Sequence, residues 1–140
     1  AQSRKVLSSG INGAAVRLFE SGDELAVAEG IETALAVHLS TGKPVWAALN
    51  CGNLEKLWIP DPVIRVCIYA DNDASAEFDG QASAYALAHR LKRDARKLGG
   101  ANPDHPDRPT REVQVFVPRQ DGTDWADIWL ARLATSRRAA

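Results

Sequence analysis

Apolar residues along the chain keep two rhythms. ELAVA at 24–28, PVWAAL at 44–49 and IRVCIYA at 64–70 are short unbroken runs without helical period, as expected of strands buried on both faces of a parallel sheet. EVQVFV at 112–117 alternates instead, placing Val113, Val115 and Val117 on one face. Between these runs the spacing turns helical. Residues 31–40 put Ile31, Leu35 and Leu39 on one stripe with Ala34 beside them, and Gly42 stands where helices end. A longer helix is predicted over about residues 80–98, with Ala82, Tyr85, Ala86, Ala88 and Leu91 at its apolar or small positions, and a final helix runs through Ile128, Leu130 and Leu133. GAAVRLF at 13–19 reads as a short edge strand, 50–53 as a loop, and 54–58 as one or two helical turns stopped by Pro60 and Pro62. Alternating strands and helices predict an α/β fold: a central, mostly parallel sheet of about four strands flanked by helices, with an extra N-terminal edge strand.

Length and composition fit one domain. With 140 residues, 45% of them hydrophobic, the chain can bury an ordinary core over residues 13–136, leaving an entry segment at 1–12 and a tail at 137–140. Residues 99–110 carry three prolines and read as a surface loop, with His105 a solvated residue in it. The net charge of −1 excludes a protein that grips nucleic acid by overall charge, so such a role must be local or metal-assisted. Cys51 and Cys67 have no zinc-site spacing and read as reduced thiols of a cytoplasmic protein. No run is long enough to span a membrane. Methionine is absent even at position 1, which reads as a piece cut from a larger protein.

The acids change the picture most. Glu29 follows the first strong strand, Asp71 and Asp73 follow the third, and Asp121, Asp124 and Asp127 follow the last. Parallel strands bring their carboxyl ends to one edge, where open α/β sheets bind ligands, so three acidic groups are expected to share one crevice. Gathered carboxylates repel one another unless a cation sits among them. Oxygen ligands without nearby His or Cys favour Mg²⁺, with Mn²⁺ as substitute. Magnesium commonly completes its shell with water and phosphate oxygens, which points to phosphoryl or nucleotidyl transfer. Glu29, beside Gly30, is the candidate general acid or base. Each acid also has an ordinary reading: Asp71 and Asp73 as turn residues, Asp121–Gly122 as a turn pair, Asp124 and Asp127 as a helix cap. The cluster Arg90, Lys92, Arg93, Arg96 and Lys97 complements a helix C-terminus, and Arg90, Arg93 and Lys97 are also candidates to steer a nucleic-acid strand.

With those residues assembled, the chain resembles the Toprim domain shared by bacterial primases, topoisomerases and some nucleases. Glu29 and Gly30 in LAVAEGIETALAV match its Glu-Gly motif, Asp71 and Asp73 in IYADND match its Asp-x-Asp motif, and DGTDWAD is similar to the acidic third segment of the primase branch. The combination looks most like primases and primase-helicases of phages, plasmids and other mobile elements. The resemblance implies a Rossmann-like fold, catalysis by Glu29, Asp71 and Asp73, and metal held by these three with Asp124 and Asp127. It also implies a single-stranded DNA template and nucleoside triphosphates as partners in RNA primer synthesis during replication, and flanking zinc-binding or helicase domains in the full-length protein. One departure is ASAEFDG between Asp73 and Gln81, longer than the family's short glycine-containing link.

Other readings compete. A Toprim nuclease would use similar acids, and a non-catalytic nucleic-acid-binding module of a replication protein would suit the modest charge. A topoisomerase needs a nucleophilic tyrosine, whereas Tyr69 and Tyr85 fall in expected core elements. A phosphoacceptor receiver needs a lysine where Pro118 and Arg119 stand, and a haloacid-type phosphatase carries its Asp-x-Asp after the first strand.

Overall fold

The computed structural model describes residues 14–97 and 110–139, with only the backbone at 96, 97, 138 and 139. The entry segment 1–12 and nearly all of the proline-rich loop with His105 lie outside the described residues. Among the described residues there are five strands: β1 Val16–Arg17, β2 Glu24–Ala28, β3 Val45–Ala47, β4 Arg65–Tyr69 and β5 Glu112–Phe116. Between and after them run α1 Ile31–Thr41, α2 Cys51–Glu55, a 3₁₀ turn Ala74–Ala76, α3 Asp79–Lys97 and α4 Trp125–Ala139.

The strands lie in the order β1-β3-β2-β4-β5. All neighbours are parallel except β1, which pairs antiparallel with β3 at the edge, where the short N-terminal strand was expected. β2 is central and carries the most buried run among the described residues, since Leu25, Ala26, Val27 and Ala28 are all fully buried. Its pleat divides the core. Leu25 and Val27 join Val66, Ile68, Leu54, Leu57, Leu87 and Leu91 on one side, while Ala26 and Ala28 join Ala34, Val37, Ala47, Cys67 and Tyr69 on the other.

That unequal division explains two shifts from the expected helix faces. The second side is floored by alanines, so α1 seats its small residues, burying Thr33, Ala34, Ala36 and Val37. The predicted stripe of Ile31, Leu35 and Leu39 faces outward, with Leu39 62% exposed. On α3 the buried positions are Ser83, Ala84, Leu87 and Leu91, a 3.6-residue rhythm starting at Gly80, whereas Ala82, Tyr85 and Ala86 are exposed. Tyr85 is thus a surface residue, not a core one. Val113, Val115 and Val117 do pack against the larger cluster from one face of β5 and the residue after it.

Residues 50–53 are not a simple loop. The Asn50 side chain accepts a hydrogen bond from the Asn53 backbone N–H at 2.7 Å and starts α2 one turn earlier than the apolar pattern suggests. Buried Asn53 donates its side-chain amide to the carbonyls of Ala48 and Ala14, joining α2 to the end of β3 and to the segment entering β1. Asn53→Ala removes the amide donor from both carbonyls, the one to Ala48 in a buried setting, and should cost about 1–3 kcal/mol in a urea melt, with the fold retained.

Candidate metal centre

Glu29 is the first residue beyond β2, at the carboxyl edge of the sheet. Its carbonyl accepts from the N–H of Leu49, just beyond β3, at 2.6 Å, so the ends of the two strands are tied together. The next carbonyl, that of Gly30, accepts from Ala34 and opens α1. A Cβ on Gly30 would meet nothing within 4 Å, so the space beside Glu29 is open. The Cys51 thiol donates to Glu29 Oε2 at 3.3 Å from the start of α2, and burial and the nearby acids push that thiol up to about 11. It therefore stays protonated at neutral pH and serves as a hydrogen-bond donor to Glu29. The sequence marks Cys51 only as a near-core thiol, and no local motif signals its place beside Glu29.

Asp71 and Asp73 follow β4, and Asn72 between them is a structural anchor. Its backbone N–H donates to Thr123 O at 3.0 Å, its carbonyl accepts from Gly122 at 2.8 Å, and its side-chain amide donates to Pro118 O at 2.8 Å. These bonds fasten the end of β4 to the loop after β5. Gln81 on α3 completes the frame, accepting from the Asp73 N–H at 2.9 Å and donating to Asn72 Oδ1 at 2.9 Å. Asp73 Oδ2 accepts from the Gly80 N–H at 3.1 Å, in the first turn of α3 where a negative charge is favoured.

This framework brings one carboxylate oxygen each from Glu29, Asp71 and Asp73 within 4.8 Å of one another, all three side chains partly buried. Burial, and then Glu29, Asp124, Asp73 and Asp127 in turn, push the Asp71 carboxyl up to about 6. Three hard oxygen donors at that spacing, with one acid raised by burial and by its neighbours, suit a divalent cation with oxygen preference.

The other predicted residues are placed as follows. Asp124 and Asp127 form a reciprocal cap on α4: the Asp127 N–H donates to Asp124 Oδ1 at 2.8 Å and the Asp124 N–H to Asp127 Oδ2 at 3.0 Å. They lie close enough to raise the Asp71 proton affinity but stand outside the three-oxygen group. Asp121 Oδ1 accepts from the Ser75 N–H at 3.0 Å, linking the turn after β4 to the loop after β5. α4 is held over this region by Trp125, whose indole N–H donates to Phe116 O at 3.1 Å and whose ring meets Tyr69 edge-on at 5.6 Å. Arg90 donates to the carbonyls of Glu55 and Leu57 at the end of α2. Exposed Arg93 lies 3.7 Å from Asp94, and the Lys97 side chain lies outside the described residues.

Gly80 and Gln81 support the site; the sequence marks them as the Gly-Gln-Ala start of the long helix, without a role in holding the acids. A Cβ on Gly80 would stand 2.5 Å from Asp73 Oδ2 and 3.0 Å from the Asp71 carbonyl. Gly80→Ala must therefore displace Asp73, and should lower any divalent-cation affinity of the three-carboxylate group roughly tenfold or more by calorimetry while the circular dichroism of the domain is preserved.

Comparison with known proteins adds a family and a fold. A family model described as the Toprim domain matches residues 24–135. No curated protein matches the chain. Among solved structures, it is similar to a crystal structure of a DNA primase domain from Pseudomonas aeruginosa, with a TM-score of 0.52 and 16% identity, over 83% of this chain and 32% of that one. It is also similar to a structure of the DnaG catalytic core, with a TM-score of 0.47 and 16% identity, over 85% of this chain and 34% of that one. The chain thus spans about a third of the length of either structure. The first shares its fold with this α/β sheet, and the family match runs from β2 into α4, taking in Glu29, Asp71, Asp73, Asp124 and Asp127. The chain belongs to the Toprim domain family.

Proposed function

We propose that this domain supports Mg²⁺-dependent nucleotidyl transfer on nucleic acid, as the Toprim part of a DNA primase that makes RNA primers on a single-stranded DNA template. The observation that carries the proposal is the meeting of Glu29, Asp71 and Asp73 within 4.8 Å at the carboxyl ends of β2 and β4. Membership of the Toprim family and the fold shared with a primase domain support the same reading. Asp71 and Asp73 are the proposed metal ligands. Glu29 either completes the metal set or moves a proton at its carboxylate, with the Cys51 thiol holding Oε2. When bound, Mg²⁺ or Mn²⁺ would neutralise phosphate charge and take oxygen ligands from substrate.

Asp124 and Asp127 contribute negative potential from the head of α4, and a second ion near Asp124 belongs to this proposal. So do strand contacts by Arg90, Arg93 and Lys97, a cytoplasmic setting in a replication protein of a mobile element, nucleoside triphosphates as substrates, and flanking zinc-binding or helicase domains. Among the described residues no helix is long and apolar enough to cross a membrane. A Toprim-type nuclease is the competing activity, because the same three carboxylates serve phosphodiester hydrolysis. Nicking of DNA by a longer protein containing this domain, in Mg²⁺ without nucleotides, would favour the nuclease; nucleotide-dependent primer synthesis would favour the primase.

Calorimetry tests the metal step directly. The unaltered domain should bind Mg²⁺ or Mn²⁺, and the Asp71→Asn, Asp73→Asn double variant should lose that binding. Retention of full affinity by the variant would overturn the placement. The raised Asp71 pKa gives the pH dependence its sign. Below about 6 the metal must displace a proton from Asp71, so affinity should fall about tenfold per pH unit. Without metal, the folded state holds this proton more tightly than the unfolded chain, whose carboxyl titrates near 3.8. Stability from this group is therefore fully present below about 4, declines as pH rises to about 6, and is level above that. Asp71→Asn should make the metal-free domain more stable at pH 7, by on the order of 1 kcal/mol once solvent screening of this partly exposed group is allowed for.

A further inference from the structure

Between Asp73 and Gly80 the chain makes an unusual turn. Glu77 and Phe78 are consecutive non-glycine residues with left-handed backbone, at φ 57° and 61°. L-residues adopt that conformation at a cost, so its persistence next to a candidate site is informative. Hydrogen bonds hold the turn in place. The N–H groups of Ala76 and Phe78 both donate to Asp73 O, at 2.9 and 2.8 Å, Ser75 N–H donates to Asp121 Oδ1 at 3.0 Å, and Phe78 O accepts from Ala82 at the start of α3. Phe78 is 55% exposed and belongs to neither core cluster. A lone exposed phenylalanine needs no explanation; one held in strained backbone and bonded to a proposed metal-binding aspartate does.

We propose that Phe78 is a stacking platform for the nucleobase of a nucleotide whose phosphates engage the metal at Glu29, Asp71 and Asp73. This rests on the proposed metal-dependent function and adds the part of the ligand that the carboxylates do not address. Exposed Glu77 and Asp79 stand on either side of Phe78 in sequence and add negative charge to this turn, which disfavours a phosphate there, whereas the uncharged face of a base can lie on the ring. Phosphate is thereby directed to the cation and the base to the turn. Stacking on a ring is tolerant of sequence, which suits recognition of any base.

The test separates base from phosphate. In saturating Mg²⁺, calorimetry with the full chain should show a nucleoside triphosphate binding about tenfold tighter than inorganic triphosphate. Phe78→Trp should keep that gap. Phe78→Gly should abolish it while melting at or above the native temperature, because glycine relieves the left-handed strain. The same comparison between a single-stranded oligothymidylate and its abasic counterpart distinguishes a base in a strand from a free nucleotide, and a Phe78-dependent gap in either pair supports the proposal. Binding of Mg²⁺ and triphosphate with no base-dependent gap, or with a gap that survives in Phe78→Gly, overturns the Phe78 proposal alone. A Phe78→Gly chain that melts well below the native one assigns the ring to packing and overturns it too. Absence of Mg²⁺ uptake by the native chain overturns the metal reading and this proposal with it.

Discussion

Mutual repulsion among carboxylates is the constraint around which this domain is arranged. Glu29, Asp71 and Asp73 cannot approach within 4.8 Å in a partly buried setting unless the backbone beneath them is fixed from several directions. Asn72 supplies much of that fixation. It bonds through both backbone groups and its side chain to the loop after β5, while Gln81 and Gly80 hold Asp73 from α3. On the other strand, Leu49 holds the Glu29 carbonyl and Cys51 its carboxylate. The bonds nearest the acids thus come from polar groups and loop backbone, while the apolar core provides the sheet that sets the strand ends side by side.

The fold was legible because strand signals in this chain are strong. ELAVA, IRVCIYA and EVQVFV are almost the strands observed, and Gly42, at φ 74°, ends α1 where expected. What periodicity could not decide was which helix face turns inward. Ile31, Leu35 and Leu39 make an apolar stripe, yet a sheet face floored by Ala26, Ala28 and Ala47 accepts Thr33, Ala34 and Val37 instead. That choice depends on the depth available across the sheet, which is a property of residues far apart in sequence. The same limit applied to α2, where side-chain capping by Asn50 rather than an apolar pattern sets the start.

The site divided along a similar line. Glu29, Asp71 and Asp73 could be placed together from strand order and the shared carboxyl edge alone. Asp124 and Asp127 follow the last strand just as regularly, but their side chains are taken up in capping each other's backbone at the head of α4. Arg90, read from a basic cluster, is engaged with carbonyls at the end of α2. Cys51 was visible as a near-core thiol and Gly80 and Gln81 as the start of a helix, but their contacts with the acids were not, because those depend on how closely neighbouring elements approach.

Gly80 carries a consequence for how such a domain can diversify. Its amide and its missing side chain clamp α3 against Asp73, while the backbone N–H groups of Ala76 and Phe78 return to the Asp73 carbonyl. The intervening turn is therefore pinned at both ends to the same aspartate. Its length and its outward-facing residues can be exchanged like an interchangeable cartridge while the acids keep their positions. If Phe78 receives a base as proposed, residues 74–79 are where ligand preference can drift, or be redesigned, independently of the metal-binding chemistry proposed for its neighbours.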